Sequence, residues 1–344
     1  MMMNNFFYVL RMCDKIQNYH FFQHETTMKK NMFRFGNCKR ILRNFAFLEI
    51  FFCKKTKMGG IITLTTDWGY GDSYEAMFKA HVWRENPQAV FTAISHAVRG
   101  GSIRHAAFLL SSACWCFPES TVHVADVREF TLEQLARMGR RERPLPFLDF
   151  LAVRCRGQYF LMENNGLLSL LSPDFADVDA VVKIPLYEEY KQYDSFNALN
   201  YYAHAAALLS AGEGLEALGQ PYPMEQLERL APFKVRINGD SLEGSVQHVD
   251  AKGNLITDIR QSDVEAVAAG RKSLSVKVAG CLETLAPVTL CRRYLTVKDS
   301  CFFALFNTAG FLEIGQKNVS LAAFLYGDEG RSGIGDPVTL TFTA

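Results

Sequence analysis

Asp67 ends a β-rich run in the stretch GGIITLTTDWGYGD, Gly59 to Asp72. An acid that closes a strand and opens into glycines is carried to the strand's carboxyl end, where α/β sheets bind ligands. The other role open to it is capping the next helix. A second acid of this kind is Asp250, in GSVQHVDAKGNLITDI, Gly244 to Ile259. A strand delivers it, and Gly253 and Asn254 open the next strand. Asp, Gly and Asn are also the favoured residues of a plain hairpin turn, so both readings stand. No C-x-x-C pair and no His cluster offers metal spacing, so the expectation is a site without a metal or other cofactor.

The elements that must position these acids read in two textures. GIITLTT, AVFTAIS and TVHVADV are strands, and DSYEAMFKAHVWREN is a helix stopped at Asn86-Pro87. SIRHAAFLLSSACWCF is a helix with Ser102 as its N-cap, and TLEQLARMGRR is another. FLAVRCRG and QYFLMEN pair around Arg156-Gly157. AVVKIP is a further strand, and NALNYYAHAAALLSAG is one long helix ending on Gly212. Alternating β and α elements predict an α/β domain over 58–225 with a largely parallel sheet. A Pro-rich linker follows, around Pro221 to Pro232. From Phe233 to Ala344, short alternating strands predict a small antiparallel β-barrel. They are FKVRING, LEGSVQHVD, LITDI, LSVKVAG, VTLCRRYLTV, FFALFN, FLEIG and PVTLTFTA.

The composition is that of an ordinary soluble protein, with 49% hydrophobic and 21% charged residues among 344. A net charge of +1 argues against nucleic acid or an anionic membrane as the main partner. Nine scattered cysteines suggest reduced thiols and a cytoplasmic protein. Residues 1–57 differ: no proline, no serine, one glycine (Gly36), and many Phe, Asn, Lys and Arg. We expect a poorly structured leader there, with Met58 as the natural start. The rival is a basic targeting or docking extension, which the lack of Ser weakens.

Five segments occur in order: ITLTTDWGYGDSYEAMFKA, ENNGLLSLL, HVDAKGNLITDI, NTAGFLEIG and GIGDPVTL. Together they resemble the S-adenosylmethionine hydroxide adenosyltransferase family, relatives of the fluorinase and chlorinase, over about Ile61 to Phe342. The resemblance implies an α/β domain and a β-barrel domain. It also implies a homotrimer with ligand between one subunit's first domain and a neighbour's second, and no metal. The implied reaction is attack of water on C5′ of S-adenosylmethionine, giving adenosine and methionine. By the same resemblance, Asp67 accepts both ribose hydroxyls and Asp250 pairs with the methionine ammonium. Asn254 lies near methionine and adenine, and Tyr294 walls the ligand. Lys317 and Asn318 fall where backbone groups read adenine. Asn165 falls at the pocket edge, where a plain turn role is equally open.

The sequence departs from the family where water is oriented. Arg128 stands at the family's catalytic Asp, and Asn197 at its His. Asp126 lies two residues before Arg128, on the same strand face but deeper. No arginine of the divergent loop can be assigned; Arg137, Arg140 and Arg141 are candidates. Asn is no general base near neutral pH. A free guanidinium about 4 Å from a sulfonium would repel it by roughly 4 kcal/mol at an effective dielectric of 20. So Arg128 must point away, or an anion must lie beside it, or the ligand is not S-adenosylmethionine. Three functions fit: a hydrolase with an altered water site, a silent adenosine-binding or S-adenosylmethionine-binding protein, or an adenosyltransferase to another anion such as halide.

Overall fold

Ile61–Thr66 forms strand β1, buried along almost its whole length, as a central strand covered on both faces must be. The computed structural model describes residues 60–187, 195–232, 234–268, 273–327 and 333–343. The expectations for residues 1–57 fall outside them.

After β1 come α1 (Tyr74–Glu85), β2 (Val90–Ser95), α2 (Ile103–Ala113), β3 (Val122–Asp126) and α3 (Leu132–Gly139). Then come β4 (Phe150–Cys155), β5 (Gln158–Glu163), α4 (Leu167–Leu171), β6 (Val178–Lys183), α5 (Ala203–Ala211) and β7 (Gln220–Pro221). Their sheet has the order β2-β1-β3-β5-β4-β6-β7. The strands β2, β1, β3 and β5 run parallel, and the hairpin strand β4 turns the far side antiparallel. One face buries Ile62, Leu64, Phe78 and Tyr202 under α1 and α5. The other buries Ile103, Leu110, Val153 and Leu167 under α2 and α4. This is the three-layer α/β arrangement that the alternation requires.

Ser102 acts as read: its side chain accepts from the His105 N–H. On α3, Thr131 with Gln134 adds a capping box that the sequence reading did not single out. Gly212 stops α5 in the left-handed conformation. The predicted long helix differs at its start: Ala198–Tyr202 is a π turn before α5. The Pro-rich connection is packed down, with β7 pairing to β6. Asn164 holds it further, donating to the Gln226 carbonyl (2.8 Å) and accepting from the Glu228 N–H (2.9 Å).

The second half holds β8 (Arg236–Asn238), β9 (Ser241–Val249), β10 (Leu255–Arg260), α6 (Gln261–Ala268) and β11 (Ser273–Val278). It continues with β12 (Thr284–Leu285), β13 (Val288–Leu290), β14 (Phe302–Phe306), β15 (Phe311–Gln316), α7 (Leu321–Tyr326) and β16 (Pro337–Thr343). The main path is β12-β11-β16-β9-β10-β15-β14-β13, antiparallel except for β13 with β14. It curls into a nearly closed barrel around Leu242, Val276, Ile314 and Leu340. Alternating burial along β9 and β16 places one face of each strand in this core. The segment VTLCRRYLTV is not one strand: it leaves the sheet after Leu290 and turns as a 3₁₀ helix at Tyr294–Thr296.

A histidine pair ties the two halves together. The Nδ1 of buried His105, on α2, accepts from the Arg99 N–H (3.0 Å), so its proton resides on Nε2. That proton faces Nδ1 of His248 on β9 at 2.8 Å, with the two rings stacked. Burial pushes His105 down to about 4 and lowers His248 also. The pair is therefore neutral at physiological pH.

Candidate active site

Three carboxylates stand at the carboxyl ends of three neighbouring parallel strands. Asp67 follows β1, Asp126 ends β3 opposite Thr66, and Glu163 ends β5 next to it. This edge is where an α/β sheet binds ligands.

The turn that presents Asp67 is rigid. Buried His96 receives or donates a 2.8 Å hydrogen bond with the Thr66 hydroxyl, and its carbonyl accepts from the Gly69 N–H (2.8 Å). Trp68 stacks on His96, meets Phe196 edge-on, and donates from Nε1 to Asp126 (2.7 Å). Asp67 itself reaches the solvent. Desolvation raises its pKa, opposed by its own backbone N–H and by the charge of Arg128. Its carboxylate thus keeps acceptor capacity for a ligand. Gly101 lets the chain close over it: a side chain there would meet the Arg128 carbonyl at 2.5 Å, and φ is +77°.

Asp126 is a second poised acid. Part of the residue reaches the surface, but its carboxyl group lies deep among protein atoms. Burial pushes its pKa up to about 6, the Trp68 hydrogen bond opposes this, and the nearby Asp67 charge adds to it.

The two substituted positions meet. The Arg128 guanidinium forms an ion pair with Glu163, whose side chain is 3% exposed. It also donates from both terminal nitrogens to the amide oxygen of Asn197 (2.8 and 2.9 Å), with the amide turned to face it. Phe150 and Phe130 lie against the guanidinium at 5.7 and 6.0 Å from their ring centres. An anion therefore does lie beside Arg128. Asn165 holds the preceding backbone: it donates to the Val127 carbonyl (2.9 Å) and accepts from the Leu167 N–H (3.1 Å). Its hydrogen bonds are those of a turn residue. Arg137 and Arg140 both pair with Glu142, out on the α3 side. Arg141 has φ +56° just beyond α3.

Of the predicted second-half residues, Asn254, Tyr294 and Asn318 line one cavity of about 370 Å³ together with Lys252 and Gln316, while Asp250 and Lys317 are not among its lining residues. Asp250 does serve the hairpin turn: one oxygen accepts from the Lys252 and Asn254 N–H groups (2.9 and 2.8 Å). Its other oxygen takes the Asn254 amide (3.2 Å), which also reaches Glu313 (2.9 Å). Glu313 is thus a second acid near Asp250, and burial with the Asp250 charge raises its pKa. Sequence reasoning missed Glu313, Glu163 and His96. Asn254 sits tight on Gly315, whose missing side chain makes the space. The Tyr294 hydroxyl donates to the Asn318 side-chain oxygen (3.0 Å). Lys317 acts from beneath as a strut: Nζ donates to the Tyr294 and Val297 carbonyls (both 3.1 Å), and its own N–H and C=O pair with Cys301 and Ser300. No group of three or more His, Cys, Asp or Glu side chains among the described residues is arranged to hold a metal ion.

Comparison with known proteins gives this geometry a family. Residues 62–219 match the SAM hydroxide adenosyltransferase N-terminal domain, and residues 244–332 match the C-terminal domain. The (R)-S-adenosyl-L-methionine hydrolase of Methanocaldococcus jannaschii is 26% identical over 261 residues, 74% of this chain and 88% of the relative. The enzyme of that name from Thermus thermophilus is 26% identical over 258 residues, 72% of this chain and 89% of the relative. An uncharacterized conserved protein from Thermotoga maritima shares the fold with a TM-score of 0.65 at 23% identity, covering 82% of this chain and 99% of that one. Both domain matches lie in chain order on the two halves that carry the acids, so the chain belongs to the S-adenosylmethionine hydroxide adenosyltransferase family.

Proposed function

We propose that the chain hydrolyses S-adenosylmethionine at C5′ to adenosine and L-methionine. The family match across both halves carries this reading, with Asp67 presented as an unspent carboxylate at the strand edge. A vicinal ribose diol suits such a group, since one carboxylate can accept from both hydroxyls. Water attacks C5′ as the C5′–S bond breaks, and the bonding pair returns to sulfur as the neutral thioether of methionine. The water loses one proton, and Asp126 is the group held near the pKa of a general base. Most of the remaining catalysis is positioning, because a sulfonium already leaves well. Arg128, paired with Glu163, has no free charge with which to gather a halide.

The reading is tested by incubating purified protein with S-adenosylmethionine, with and without halide, and separating the products by chromatography. Adenosine and methionine should appear in equal amounts in both cases. A 5′-halonucleoside, or no product at all, would overturn it.

The working unit in this reading is a homotrimer. All lining residues of the cavity around Asn254 and Tyr294 come from the second half, whereas Asp67 lies in the first; this division, together with the family resemblance, supports a site shared between subunits. Light scattering that finds a monomer still binding adenosine would rule the trimer out. The described cysteines are free thiols, which suits a reducing cytoplasm. No helix among the described residues is long and apolar enough to cross a membrane.

A further inference from the structure

We infer that Glu163 is a positioning residue that cancels the charge of Arg128, and so lets this site accept a cationic sulfonium. The inference rests on the S-adenosylmethionine reading above. Arg128 cannot be ignored at this edge of the sheet. Its charge acts on Asp67, the proposed ribose acid, and its carbonyl and the Asp67 carboxylate both border Gly101. An uncompensated guanidinium here would oppose any ligand that carries its positive charge next to the ribose.

Glu163 removes that field in a fixed geometry. It is 3% exposed, at the end of β5, and it ion-pairs with the guanidinium. Asn197 accepts from the other side, and Phe130 and Phe150 border the guanidinium. These contacts hold the guanidinium close to its counter-charge. The second oxygen of Glu163 is buried without a partner among the described residues, so the carboxylate is not spent on other hydrogen bonds. Arg128 and Glu163 therefore form a neutral unit. Substituting either alone changes the charge that the ligand meets.

The test compares S-adenosylmethionine with S-adenosylhomocysteine, which has the same amino-acid end and a neutral sulfur, and with adenosine. Binding is measured by calorimetry for wild type, Glu163→Gln, and Glu163→Gln combined with Arg128→Leu. In Glu163→Gln, S-adenosylmethionine should bind about tenfold more weakly, with little change for the two neutral ligands. The loss should appear in KM more than in kcat. The double variant, with neither charge, should recover S-adenosylmethionine binding even where the single variant folds poorly. An affinity ratio of S-adenosylmethionine to S-adenosylhomocysteine that moves less than about threefold in Glu163→Gln, or no recovery in the double variant, overturns the inference. Failure of the wild type to bind any of the three would instead sink the underlying reading of the site, and the inference with it.

Discussion

Asp67→Ala should weaken adenosine and S-adenosylmethionine together, by about a hundredfold, with the fold intact. Removing one partner of a charge-assisted contact typically costs a few kcal/mol, and every 1.4 kcal/mol is tenfold in affinity. The fold should survive because the surrounding turn is held by His96 and Trp68, not by the Asp67 carboxylate. Asp250 needs a different substitution. Its carboxylate caps the hairpin through two backbone N–H groups, so Ala would damage the turn as well as the charge. Asp250→Asn keeps an oxygen for those two backbone bonds and removes the charge, at the cost of the single hydrogen bond from the Asn254 amide. It should weaken ligands that carry the methionine ammonium and leave adenosine unchanged. The measurement is calorimetric titration of each variant with both ligands. Equal losses for both ligands in both variants would refute the division of roles.

The sequence shows these two acids because each ends a strand and opens a turn, and both signals are local. The cap at Ser102 and the stop at Gly212 are legible for the same reason. Glu163 is not. Its partner lies thirty-five residues away, and only the parallel pairing of β3 with β5 brings them together. Within its own segment it looks like one polar residue closing an apolar strand. His96 is hidden likewise, since its role depends on β2 lying beside β1.

The side chain of Lys317 has a structural task as well: the broken strand at Tyr294–Thr296 leaves carbonyls that need a donor, and Lys317 supplies it. In VTLCRRYLTV the only local mark of the break is the pair Arg292-Arg293, which interrupts the alternation. The helix α6 is missed because a strand leads straight into it. Only the Asp263 carboxylate, accepting from the Arg260 N–H at 2.8 Å, marks the junction.

Asp126→Asn should separate activity from stability. Asn can still accept the Trp68 N–H, so the local packing is kept while the titrating group is lost. If Asp126 takes the proton of the attacking water, turnover should fall by roughly 10²- to 10⁴-fold, and the limb of the pH–rate profile near 6 should vanish. Stability should move the other way. The folded-state pKa of Asp126 is raised to about 6 from the ordinary 3.8. The unfolded chain therefore releases this proton first, and the native state loses stability as pH rises from the ordinary value through about 6. At pH 8 the wild type carries the whole penalty, at most about 3 kcal/mol, and Asp126→Asn removes it. At pH 3.5 both forms are mainly neutral and the difference should almost disappear. Denaturant unfolding at the two pH values, beside steady-state turnover, reads both effects. A variant that is less stable at pH 8 would contradict the buried-acid account. One that is more stable but turns over normally would remove Asp126 from the water step, leaving attack to water ordered by the positioned ligand alone.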